Sequence, residues 1–145
     1  MSNYLVELLS RLLKSYGIKI TTHTIEQTIL THPEYPSMQC ISDALDSWKV
    51  KHVIMKLTLE KLKALDIPVI EHLKKNEFVW VKQVTDSKVY FEDSFGKKNS
   101  DDIETFEQEW SGIALAIEDI VDAGEPGYKE KYDKGLRKRY LNIPL

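Results

Sequence analysis

The chain has 145 residues, 42% of them hydrophobic and 30% charged, with a net charge of -3. That length and apolar content suffice for one domain with a buried core, and the charge excludes a nucleic-acid surface, which needs a basic patch. The single cysteine, Cys40, excludes an internal disulfide framework and a cysteine-based zinc site, and fits a reducing, cytoplasmic setting.

Tyr4, Leu5, Leu8, Leu9, Leu12, Leu13 and Tyr16 recur every three or four positions and are followed by Gly17. This is the pattern of an amphipathic helix with a glycine stop. The segment has no long apolar core and no small-residue cleavage site, so it reads as neither a membrane span nor a signal peptide. Ile18-Lys19-Ile20 is a short extended link. Thr24 and Gln27 make a capping box for a second helix, which His32-Pro33 closes. Pro36-Ser37 opens a third helix with Met38, Ile41, Leu45 and Trp48 as its buried stripe. Val53 to Leu57 reads as a strand, and Thr58 caps a short helix through Leu65.

After Pro68 the pattern turns to strands. Val69-Ile70, Phe78 to Val84, Val89 to Phe91 and Ile113 to Ile117 are β-rich runs separated by turns. The last alternates Ile113, Leu115 and Ile117 with Gly112, Ala114 and Ala116, which suits a strand buried on both faces. A short acidic helix is expected between Asn99 and Trp110, with Phe106 and Trp110 facing inward. Helices first and mostly antiparallel strands afterwards make the fold class α+β.

No repeat, low-complexity tract or linker occurs before Asp122, so residues 1–121 read as the domain and 122–145 as a polar, basic segment. Six basic residues between Lys129 and Arg139 face only Glu130 and Asp133. A solvated tail and a juxtamembrane stretch of a longer protein are both open readings of that run.

A thiol protease needs a thiolate, an imidazole beside it and a group that orients the imidazole. Cys40 is the only thiol, placed inside the third helix, with His52 twelve residues later and His72 near the turn that precedes Glu77. A dyad of Cys40 with His52 or His72 is therefore one reading, and a small buried cysteine with loop histidines the other. The four histidines follow no metal-ligand spacing, and no glycine-rich phosphate loop exists, so neither a metal nor another cofactor is expected. Glu77 and Asp93 start and end neighbouring strands. Asp93-Ser94-Phe95-Gly96 has the form of an Asx turn, in which the carboxylate holds the backbone.

Residues Tyr4 to about Glu118 resemble the C39 peptidase family, papain-like domains that sit at the N-termini of bacteriocin-exporting ABC transporters and cleave double-glycine leader peptides. Tyr16-Gly17 aligns with the end of the family's first helix and puts Tyr4 at the catalytic cysteine. Glu77-Phe78-Val79-Trp80 stands where the family's histidine opens a strand. Asp93-Ser94-Phe95-Gly96, sixteen residues on, stands at its aspartate turn, and Phe106 through Trp110-Ser111-Gly112 at a later segment. The oxyanion-hole glutamine would lie upstream of Tyr4, where the sequence holds Met1, Ser2 and Asn3. His32-Pro33-Glu34-Tyr35-Pro36-Ser37, Ile41-Ser42-Asp43-Ala44-Leu45 and Gly124-Glu125-Pro126-Gly127-Tyr128 resemble a Bacteroidetes-type branch. In that branch the domain is often fused to vitamin K epoxide reductase-like and thioredoxin-like modules.

The resemblance implies a papain-like fold, with helices packed on the sheet, and a degenerate triad. Asp93 is kept, while Tyr4 and Glu77 replace the cysteine and the histidine. A phenol of pKa about 10 with no imidazole beside it is no thiolate substitute at neutral pH. The expected function is binding an extended peptide, such as the leader of an exported substrate, or a partner domain. Tyr4, Glu77, Trp80 and Asp93 would form the cleft rim. The expected setting is the cytoplasmic face of the inner membrane, beside a membrane domain of the same polypeptide. The alternatives are an active cysteine peptidase cleaving double-glycine leaders and a purely structural regulatory domain.

Overall fold

The computed structural model describes residues 4–65, 68–75 and 77–125. Met1 to Asn3, Asn76 and the basic run from Lys129 to Arg139 lie outside them. The elements follow the order α1 (Tyr4–Ser15), α2 (Thr22–Leu30), α3 (Met38–Ser47), β1 (Lys51–Lys56), α4 (Leu59–Leu65), β2 (Val69–Leu73), β3 (Phe78–Val84), β4 (Lys88–Glu92), β5 (Lys98–Asp102), α5 (Ile103–Glu109) and β6 (Trp110–Asp119). The six strands form one sheet in the order β1-β6-β2-β3-β4-β5, and every pairing is antiparallel. The chain is α+β, as its element order implies.

Each face of the sheet carries its own core. On one side α1 buries Leu5, Val6, Leu8, Leu9, Leu12 and Leu13. They join Ile25, Ile29, Ile41, Leu45 and Trp48 over Ile70, Phe78, Trp80 and Leu115 of the sheet. Full burial of each such side chain contributes about 1.5–3 kcal/mol, so this stripe holds the helical layer to the strands. On the other side Leu62, Phe106 and Trp110 cover Val69, Val79, Val81, Val89, Ala114 and Ala116. β6, between β1 and β2, is buried on both faces at its centre, from Ala114 to Ala116, as the alternation of its side chains predicts.

Local signals act where the sequence puts them, with two corrections. Gly17 ends α1 at φ 71°, a left-handed conformation that glycine adopts without a Cβ penalty. The Ser37 hydroxyl caps α3 by accepting the Cys40 N–H at 3.0 Å. The cap of α2 is Thr21 rather than Thr24, because the Thr21 Oγ1 accepts the Thr24 N–H at 3.3 Å. Between Asn99 and Asp102 the expected helix is strand β5, and α5 starts only at Ile103. This segment pairs with β4 along its whole length, from Lys88↔Asp102 to Glu92↔Lys98.

The chain beyond β6 folds back onto the helical layer. The Gly124 N–H donates to the Trp48 carbonyl at 2.9 Å and the Glu125 N–H to the Lys19 carbonyl at 3.3 Å. The buried Glu125 carboxylate accepts the Thr21 N–H and, at 2.8 Å, the Thr24 hydroxyl. A carboxylate at the start of α2 satisfies backbone donors that the helix itself leaves free. No helix among the described residues is long and apolar enough to cross a membrane.

Candidate functional site

Three elements converge at one end of the sheet. The buried leucine stripe fixes the axis of α1, so Tyr4 projects from its first turn. The β2–β3 hairpin is closed by the Leu73 N–H donating to the Glu77 carbonyl at 2.9 Å, which sets Glu77 immediately before the buried Phe78. The turn between β4 and β5 carries Asp93, Ser94 and Phe95. Tyr4, Pro36, Lys75, Glu77, Asp93, Ser94 and Phe95 line one cavity of ≈ 370 Å³. Tyr4, Glu77 and Asp93, distant in sequence, thus share a wall.

The Asp93 turn is held by its own carboxylate. Oδ1 accepts the N–H groups of Phe95 and Lys97, each at 2.9 Å, and Oδ2 accepts the Asn99 amide at 3.1 Å. Gly96 adopts φ 84° here, a left-handed position that suits glycine. Its N–H donates to the Asp93 carbonyl at 3.0 Å. The Ser94 hydroxyl donates to the Phe78 carbonyl at 2.8 Å, fastening the turn to β3. Arg11 fastens it to α1: Nη2 donates to the carbonyls of Asp93 at 3.0 Å and Ser94 at 3.2 Å.

Aromatic groups form the rim. Phe95, 79% exposed, stands at the tip of the turn with its ring centroid 6.3 Å from that of Tyr4. Burial, with the Tyr35 phenol and the Glu77 carboxylate adding to it, raises the Tyr4 phenol above its ordinary pKa. At neutral pH it is an uncharged hydrogen-bonding group. The Lys75 ammonium lies 3.5 Å from Glu77 Oε2, both side chains being more than half exposed.

Trp80 is a correction to the expected rim. It is 4% exposed, lies in the core beneath α1, and carries the Lys82 ammonium 3.0 Å from its ring centroid. The strand that bears it is buried on both faces from Phe78 to Val81, so an apolar run there does not say which side chain meets solvent. Phe95 takes the aromatic place at the cleft. Its signal was its position inside the Asp93–Gly96 turn, where a bulky apolar residue has no core to enter.

The thiol and the remaining imidazoles lie elsewhere. Cys40 is fully buried on the inner face of α3. Burial pushes its thiol up, and a bond with the Ser37 backbone only partly opposes this. His52 Nε2 sits 2.6 Å from the Ser42 hydroxyl and Nδ1 2.9 Å from the Val50 carbonyl. Donation from Nδ1 to that carbonyl leaves Nε2 to accept from Ser42. His72 packs against Phe78 with ring centroids 5.2 Å apart and meets Ser111 Oγ at 3.0 Å.

The proline-flanked loop before α3 also belongs to the site. His32 Nδ1 accepts the Glu34 N–H at 3.0 Å, and Nε2 lies 2.7 Å from Asp43 Oδ2. The ring thereby clamps the loop that brings Pro36 to the cavity. The motif in the sequence carries no sign of this role.

A profile of the Peptidase C39 family matches residues 2–121. No curated protein sequence matches the chain. Among solved structures, a double glycine motif protease from an AMS/PCAT transporter, in complex with its leader peptide, superimposes with a TM-score of 0.69 at 19% identity. The match covers 81% of this chain and 86% of that one. The peptidase domain of Streptococcus ComA, a bi-functional ABC transporter, gives 0.68 at 17% identity over 86% of this chain and 96% of its own. The N-terminal peptidase C39-like domain of a toxin secretion ATP-binding protein from Vibrio parahaemolyticus gives 0.67 at 15% identity, covering 81% and 98%. The fold and the family profile agree: this chain belongs to the peptidase C39 family.

Proposed function

We propose that this domain binds an extended peptide in the cleft between α1 and the β4–β5 turn and does not cleave it. One observation carries the reading. Among the described residues, the lining of the cavity holds a phenol, two carboxylates and an amine, but neither a thiol nor an imidazole. Peptide hydrolysis by this family's chemistry needs both, one as nucleophile and one as base. Asp93, which the resemblance assigns to orienting the imidazole, spends both carboxylate oxygens on its own turn.

What is left is suited to holding a chain. Tyr4 and Phe95 offer aromatic area at low entropic cost, and Glu77 and Asp93 supply negative charge at the cleft. A peptide with small or extended backbone between basic or amphipathic side chains fits such a wall. The leader peptide bound to the related transporter protease makes a leader segment the first ligand to try. We place the domain beside a membrane domain of an export or thiol-oxidation protein, with the cleft facing the cytoplasm.

The test is titration of the 15N-labelled domain with a synthetic leader peptide ending in Gly-Gly, with mass spectrometry of the same samples. Shifts at Tyr4, Glu77 and Phe95, their weakening in Phe95→Ala and an intact peptide are expected. Turnover that Cys40→Ser abolishes would overturn the non-catalytic reading. A titration that leaves the cleft unperturbed would leave a structural role instead.

A further inference from the structure

Glu71 lies on β2, opposite Val79 of β3 and Ala114 of β6, on the face of the sheet away from the cleft. It is 0% exposed, and neither carboxyl oxygen has a hydrogen-bond partner. An ionised carboxylate in such a place has no compensation for its lost hydration, so the neutral acid is the form that the fold accepts. Burial raises its pKa to about 9, with Trp110 opposing only in part.

The core on that face of the sheet is apolar. β3 presents Val79 and Val81, β6 Ala114, Ala116 and Trp110, α5 Phe106, and α4 Leu62, with Val53 and Met55 of β1 partly buried in the same cluster. The indole N–H of Trp110 donates to the Ile113 carbonyl at 3.2 Å, so it acts on the Glu71 carboxyl without making a full hydrogen bond to it. The charged side chains of the covering helices, Glu60, Lys61 and Lys63 on α4 and Glu104, Glu107 and Glu109 on α5, are exposed. His72, the next residue on β2, packs on Phe78 of the opposite face. No charged side chain acts on the Glu71 carboxyl.

We propose that Glu71 is a proton-operated joint: its neutral carboxyl lets α4 and α5 seat on the sheet, and loss of its proton loosens that layer. The α1–α3 layer packs on the other face and keeps its place. The sign follows from linkage. A carboxyl whose folded pKa lies above its unfolded value stabilises fully below the unfolded value, about 4.3 for glutamate. That stability is lost as pH rises toward the folded value. Between the two the folded protein binds the extra proton, so the folding constant drops about tenfold per pH unit.

The experiment compares the domain with Glu71→Gln, which cannot ionise, by denaturant unfolding from pH 5 to 8.5 and by hydrogen exchange corrected for intrinsic rates. The expected result is a folding constant that falls about tenfold per unit relative to the variant, with protection lost in α4 and α5 before α1. Parallel pH profiles would overturn the proposal. If Glu71→Gln does not fold, 13C titration of glutamate carboxyls in the unmodified domain decides the question. A glutamate still protonated at neutral pH supports the proposal; complete ionisation of all glutamates at that pH overturns it.

Discussion

Arg11 Nε lies 2.6 Å from Glu92 Oε1, so the middle of the first helix is tied to the last residue of β4. The same guanidinium donates to the carbonyls of Asp93 and Ser94, and its carbon lies 3.4 Å from where a Cβ at Gly96 would sit. One side chain thereby sets the distance between Tyr4's helix and the Asp93 turn. Arg11→Met, which keeps the stem and removes these bonds, is expected to cost about 1.5–3 kcal/mol. It should also shift the resonances of Phe95 and Gly96. Denaturant unfolding and amide spectra check both, and an unchanged turn would show that Asp93 and Ser94 hold it unaided.

Cys40 should behave as a sealed thiol. It has no exposed surface, and burial holds its thiol above the ordinary range, so the reactive thiolate is scarce at neutral pH. Ellman's reagent is expected to react very slowly with the native domain and stoichiometrically once guanidinium has unfolded it. Fast labelling of the native form would contradict the burial.

The loop before α3 carries a pH dependence of opposite sign to that of Glu71. The bonds from His32 and then Gln39 hold the Asp43 carboxyl below its usual range. Such a carboxyl stabilises above the unfolded value, about 3.9, and that contribution is lost as pH falls through the folded one. His32→Ala is expected to move the Asp43 titration up toward the ordinary aspartate value, read by 13C spectroscopy. An unmoved titration would assign the effect to Gln39 alone.

Glu125 lies beyond residues 2–121, which the family profile matches, yet its side chain is only 7% exposed. Glu125→Ala removes the partner of the Thr21 N–H and the Thr24 hydroxyl. It should destabilise by about 2 kcal/mol, the range for a charged hydrogen-bond acceptor, and increase exchange at the start of α2. Thermal unfolding and hydrogen exchange measure both.

Where a side chain's environment repeats along an element, the sequence was legible. The leucines of α1, the Ser37 cap and the Asp93 turn each follow from a local rule. β5 was not, because Lys98-Asn99-Ser100-Asp101-Asp102 is an edge strand. A polar edge resists pairing with other chains and so lacks the alternation that marks a strand. Trp80 was misplaced for the opposite reason, since β3 is apolar on both faces. Tyr4, Glu77 and Asp93 were found through the family pattern. Lys75, Pro36 and Phe95 join them only through the turns, which spacing alone does not bring together.

The Asp93 carboxylate is first of all a part of its own hairpin. Three donors of its own hairpin occupy it, so the residue earns its position by shaping a bend. The bend would form whether or not a thiol and an imidazole stood across the cleft, so the aspartate by itself carries no sign of hydrolysis.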